Sequence, residues 1–146
     1  MHCDMKSLRG SEIYKFGSSQ PWGTVRSVLI SPYSGKVVSI LANTISIIPL
    51  SFLIDMDNLL YITPHKITLK KNCTGITYIQ NDFFIYPESM HCVANTSNIK
   101  HKIKDFTFDT ESGDISEITV SAGRFSRKKK ISINNIEIKD NTIYIK

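Results

Sequence analysis

The chain repeats itself, and that limits its fold more than any other feature. The turn Ser31-Pro32-Tyr33-Ser34-Gly35 aligns with Asp109-Thr110-Glu111-Ser112-Gly113 at a shift of 78 residues. At the same shift Val25, Val28, Ile30 and Ile40 fall on Ile103, Phe106, Phe108 and Ile118. Further on, Asp57-Asn58-Leu59-Leu60-Tyr61-Ile62 aligns with Asp140-Asn141-Thr142-Ile143-Tyr144-Ile145 at a shift of 83. The difference implies a loop five residues longer in the second copy. A chain of 146 residues written this way is two copies of one supersecondary unit. The units span residues 1–72 and 73–146, with the boundary falling within 65–90.

Each unit reads as β. In the second copy Phe106 and Phe108 alternate with Asp105, Thr107 and Asp109, and Ile118 and Val120 alternate with Glu117 and Thr119. Asp109 through Gly113 has an Asx-type start and a glycine where a left-handed residue is needed, which predicts a short hairpin. Ile131, Ile133, Ile136 and Ile138 then lead into Asp140-Asn141, a two-residue hairpin signal. In the first copy Pro49-Leu50-Ser51-Phe52 reads as one helical turn between strands, because proline cannot donate to a ladder. Many short strands with turns about every 8–12 residues predict small barrels or a sandwich.

From Val37 to Ile54 no residue is charged, a length near the lower limit for a membrane span. Ser39, Asn43, Thr44, Ser46, Pro49 and Ser51 interrupt it, and its repeat counterpart is openly charged. The segment reads as two buried strands and a turn. Met1-His2-Cys3-Asp4-Met5-Lys6 shows no apolar run behind a basic start, so no secretory signal is expected. Cys3, Cys73 and Cys92 are odd in number and sparse, which predicts reduced thiols in the cytoplasm.

Ser7-Leu8-Arg9-Gly10-Ser11-Glu12-Ile13-Tyr14, Gly23-Thr24-Val25-Arg26-Ser27-Val28-Leu29-Ile30 and Gly35-Lys36-Val37-Val38 resemble the opening of a PRC-barrel domain. Ile47-Ile48-Pro49-Leu50, Leu53 and residues 57–62 resemble its closing half. In the second copy residues 103–109, Gly113 and residues 131–145 resemble the same domain, although the Leu-x-Gly opening is missing there. The resemblance implies a small, strongly bent β-barrel, known from the cytoplasmic domain of the photosynthetic reaction-centre H subunit. It is known also from a ribosome maturation factor that docks on a ribosomal protein, and some stand-alone members carry a sporulation link. The resemblance supplies a fold and no catalytic residues.

The basic cluster Arg124-Phe125-Ser126-Arg127-Lys128-Lys129-Lys130 holds five of the 18 lysines and arginines, and without it the net charge falls from +5 to 0. It reads as the inserted loop, with the uncharged residues 42–46 as counterpart. One reading is contact with RNA phosphates or anionic headgroups, Phe125 stacking or inserting. The other is a solvated tip that keeps a strand edge from aggregating. Trp22, beside Pro21 and Gly23, either caps the core or anchors a partner. His2-Cys3 and His91-Cys92, with His65, Cys73 and His101, lack the close spacing of a zinc set. Asp55 with Asp57, and Asp109 with Glu111, read as turn formers rather than an acid–base dyad.

The sequence therefore predicts an all-β protein of two tandem PRC-barrel-like units related by a pseudo-two-fold axis. Its expected role is a non-enzymatic protein-interaction or scaffold module in the cytoplasm, with no metal or cofactor. The alternative is an RNA- or ribosome-associated factor working through residues 124–130. Units of about 73 residues are marginal alone, so one cooperative body is expected, with Phe83, Phe84 and Ile85 between the halves. Having buried its own dimer surface, the chain is expected to be a monomer, with exposed strand edges leaving room for a weak homodimer.

Overall fold

A computed structural model describes residues 1–31, 34–63, 65–73, 77–78, 90–94, 100–123, 127–139 and 142–146. Phe83, Phe84 and Ile85, placed by the sequence between the halves, lie outside these residues, as do Arg124 and Phe125.

The described residues form two curled sheets built on one plan. The first contains β2 (Glu12–Tyr14), β3 (Pro21–Ile30), β4 (Val37–Thr44), β5 (Ser51–Asp55), β6 (Leu59–Thr63), β7 (Lys66–Leu69) and β8 (Thr77–Tyr78), in the order β6-β7-β2-β3-β4-β5-β8. The second contains β9 (His91–Ala94), β10 (Lys100–Asp109), β11 (Ile115–Ser121), β12 (Lys129–Ser132), β13 (Ile136–Lys139) and β14 (Thr142–Ile145), in the order β12-β11-β10-β9-β14-β13. Both contain one parallel pair, β2 with β7 and β9 with β14. The segment from 37 to 54 forms β4 and the start of β5. Among the described residues no helix is long and apolar enough to cross a membrane.

The repeat extends to the irregularities. The ladder between β3 and β4 shifts register between Val25 and Ser27 and between Leu29 and Ile30. The ladder between β10 and β11 shifts between Ile103 and Asp105 and between Thr107 and Phe108, the same positions 78 residues on. A bulge bends the strand that carries it and increases its twist, so matched bulges give matched curvature. The turns also agree. Gly35 N–H donates to Ser31 O, and Gly113 N–H donates to Asp109 O. Both glycines have positive φ, 68° and 77°.

The closing halves correct the sequence alignment. Ile54 lies opposite Ile40 and Ile131 opposite Ile118; Ile62 lies opposite Ile67 and Ile138 opposite Ile143. The shift therefore falls from 78 to 77 and then to 76, and never rises to 83. The short 3₁₀ turn Met56–Asn58 corresponds to Ile133–Asn135, and residues 57–62 do not correspond to 140–145. An Asp-Asn pair followed by alternating apolar residues occurs at non-equivalent strands, and sequence similarity alone could not separate them. The basic hairpin is thus no insertion. Its counterpart is the β4–β5 connection, residues 45–50. Pro49 to Phe52 is not a helical turn either: β5 begins at Ser51, where Ser51 pairs with Asn43, and the helical turn follows the strand.

The chain's first strand crosses over. β1 (His2–Asp4) pairs antiparallel with β10, Cys3 opposite Phe108, on the second sheet. The helical turn α1 (Met5–Leu8) then returns the chain to β2, with Met5 and Leu8 buried. Asp105, at the bulge of β10, accepts from the Lys6 N–H at 2.9 Å and fixes this turn. The second unit, which lacks the Leu-x-Gly opening, thereby receives a strand from the other end of the chain. Residues of both sheets and of α1 form one continuous apolar core.

The second turn also touches the first sheet. Val37 N–H donates to Gly113 O at 2.8 Å, and Lys36 Nζ lies 3.2 Å from Asp114 Oδ1. A Cβ at Gly113 would sit 2.2 Å from the Val37 carbonyl oxygen, whereas one at Gly35 would meet nothing within 4 Å. Gly113→Ala is therefore expected to destabilise far more than Gly35→Ala, which costs only the left-handed backbone, about 1 kcal/mol. Urea midpoints of the two variants check this. The shared core and crossed strand give a second expectation. Fragments 1–80 and 81–146 should be poorly folded apart and recover structure on mixing, as read by circular dichroism.

Candidate functional site

A row of cations lies on β10. The strand begins Lys100-His101-Lys102-Ile103-Lys104, and strand alternation puts the three lysines on one side. All three are exposed, while His101 and Ile103 are half-buried. Beyond the bulge Phe106 and Phe108 turn into the core, their rings 5.9 Å apart. The same strand thus anchors in the core at one end and presents cations at the other.

Register brings the basic hairpin to this face. Lys102 lies opposite Ser121, and Asp105 lies opposite Thr119, which in turn faces Lys130 on β12. Residues directly opposite share a side, so Lys102, Lys104 and Lys130 occupy one surface. Arg127, Lys128, Lys129 and Lys130 are all exposed. Lys130 Nζ lies 3.7 Å from Glu117 Oε1, a solvated pair that contributes little to stability. Asp105, the nearest carboxylate on β10, is occupied by the Lys6 and Phe106 N–H groups.

Beside the lysine row a cavity of about 720 Å³ opens between α1 and strands β9, β10 and β14. Met5, Met90 and Cys92 form its apolar floor, and Arg9, Lys100, Lys102 and Lys104 supply cations at its wall. Among the described lining residues none is acidic. Such a site can hold an anion against an apolar base. Burial pushes the Cys92 thiol up from its ordinary value, which keeps it in the neutral, unreactive form. Burial, followed by Asp4 and Asp105, does the same for Cys3. Among the described residues no group of three His, Cys, Asp or Glu side chains gathers as a metal set.

The other residues singled out by the sequence have structural places. Trp22 is half-buried, packed on the core and tilted against Phe52 at 5.6 Å. Asp55 accepts from Ser39 Oγ at 2.9 Å. Asp109 shapes its turn by accepting from Ser112 N–H at 2.9 Å, and its carboxylate lies 3.0 Å from the Met1 amino group. The Ser112 backbone first, then that amino group, hold the Asp109 carboxyl well below the usual carboxylate range.

Lys100, Lys102 and Lys104 were not among the residues the sequence singled out. Their signal was the alternation Lys-x-Lys-x-Lys, hidden because acidic residues elsewhere balanced them in the net charge. Changing Arg127, Lys128, Lys129 and Lys130 together to serine should move the melting temperature by less than about 2 °C. It should also lower the salt needed to elute the protein from heparin.

Residues 102–146 match the family model of the PRC-barrel domain. This match runs from the middle of the lysine row to the end of the chain, so that stretch is similar to a PRC-barrel domain. The first unit shares its strand plan and bulges. No curated protein matches the chain.

Proposed function

We propose that this protein is a non-enzymatic interaction or scaffold module of the PRC-barrel type, acting in the cytoplasm on a protein partner with an acidic docking segment. The observation that carries this reading is the cation-lined cavity beside the lysine row of β10, with no carboxylate among its described lining residues. Complementary charge steers encounter and sets register, and it discriminates against basic partners. The apolar floor at Met5, Met90 and Cys92 gives an acidic segment somewhere to bury one side chain. Core-facing residues hold the strands rigid, so the face is pre-organised rather than assembled on binding.

A second reading has its own support. Arg127 to Lys130 extend the same cationic surface along a hairpin, which suits a phosphate backbone as well as an acidic protein. Reversing Lys100, Lys102 and Lys104 to glutamate distinguishes the two. On the protein reading, a stoichiometric protein partner co-purifies with the wild type and its affinity falls ~tenfold or more in the variant. On the nucleic-acid reading, generic RNA binds the wild type with an affinity falling steeply as salt rises, and no protein partner is retained. An unchanged partner affinity in the variant would overturn the assignment of this face.

A further inference from the structure

The opposite chemistry sits at one end of the first sheet. The tip of the β4–β5 hairpin carries Ile45, Ile47, Ile48 and Leu50, exposed at 56%, 102%, 77% and 41%. Large aliphatic side chains so fully in water mark a surface that something else covers. Ile45 N–H donates to Trp22 O, and Pro21 pairs with Tyr14. The neighbouring turn, with exposed Phe16, therefore lies at the same end.

We infer that this hairpin tip inserts into the interface of an anionic lipid bilayer. Three observations favour lipid over a protein surface. First, several polar groups of the tip are paired within it. Thr44 N–H donates to Leu50 O, Leu50 N–H to Thr44 Oγ1, and Ser46 Oγ to Ile48 O, at 2.9, 2.9 and 2.6 Å. Unpaired backbone groups are what exclude most loops from hydrocarbon. Second, the side chains are ordered as a bilayer interface is. Aliphatic residues are outermost, the Trp22 ring lies tilted against Phe52 behind them, and Lys15 Nζ lies 5.7 Å from the centre of the Trp22 ring. Aromatic rings and lysines settle at headgroup depth. Third, no acidic residue occurs between Glu12 and Asp55, so no carboxylate from this stretch opposes an anionic headgroup.

A second copy of the chain fits less well. Four side chains at a convex tip fall short of the ~800 Å² per partner that a standard interface buries. The inference is independent of the cationic face, which lies on the other sheet.

Trp22 is the only tryptophan, so its fluorescence reports on this end alone. The full chain is mixed with vesicles of phosphatidylcholine and phosphatidylglycerol, and Trp22 emission and co-sedimentation are followed. Emission should shift to the blue and survive high salt, because burial of aliphatic surface is not screened. The Ile47→Ser, Ile48→Ser double variant should keep its circular dichroism and bind roughly a hundredfold more weakly. Lys15→Gln should bind a few-fold more weakly and lose most of its preference for the anionic lipid. The Lys100, Lys102, Lys104 reversal should leave the Trp22 shift intact, which separates this site from the proposed partner face. Binding without a Trp22 shift, or binding that the double serine variant retains, would overturn the inference. So would a concentration-dependent dimer that the double variant abolishes and vesicles leave intact.

Discussion

The pairing of His2–Asp4 with the end of β10 ties the two ends of the repeat together. A unit of this size buries too little surface to be comfortably stable alone. The crossed strand, the returning turn at Met5–Leu8 and the Val37–Gly113 hydrogen bond convert two marginal units into one body with one core. Met5 and Leu8 are central to this arrangement, since they are buried in the segment that passes from one sheet to the other. Asp105 holds that segment from the far side by capping it. The bulge that frees Asp105 from strand alternation is therefore structural twice over: it bends β10 and it anchors the crossover.

What the sequence made legible was local. Gly35 and Gly113 were identifiable as turn glycines because their neighbours carry turn chemistry, and both adopt positive φ. Val28 with Ile40, and Phe106 with Ile118, were identifiable as matched core positions because alternation fixes a strand's face. Lys139 pairs with Thr142, as the Asp-Asn hairpin signal implied. Long-range features were not legible. Three residues, His-Cys-Asp, have no pattern to mark them as a strand, and nothing local says which sheet they join. The closing strands were aligned one hairpin out of register, because similar turn chemistry recurs there. The cavity draws on four separate segments, so no window of sequence contains it.

The two ends of the molecule's chemistry are separated by sheet. The second sheet exposes Lys100, Lys102 and Lys104 around an apolar-floored cavity, with Lys130 exposed on the neighbouring strand. The first exposes aliphatic residues around a tip whose hydroxyls close its own backbone. Both surfaces rest on strands whose inner residues belong to the same core, so their relative placement is as rigid as that core. If both surfaces bind as proposed, two attachments at fixed separation would raise the local concentration of whatever they hold.

The hairpin between β4 and β5 and the hairpin between β11 and β12 occupy equivalent places in the two units, yet the first exposes aliphatic residues and the second exposes Arg127 and Lys128. In a homodimer of single units, any residue placed at a tip is placed there twice. An assembly of that kind could be greasy at both tips or basic at both, with each property copied whether or not it is useful. Fusing the copies into one chain removes that obligation while keeping the shared core. Each tip can then change without altering the other, so a nearly symmetric framework can carry an asymmetric surface.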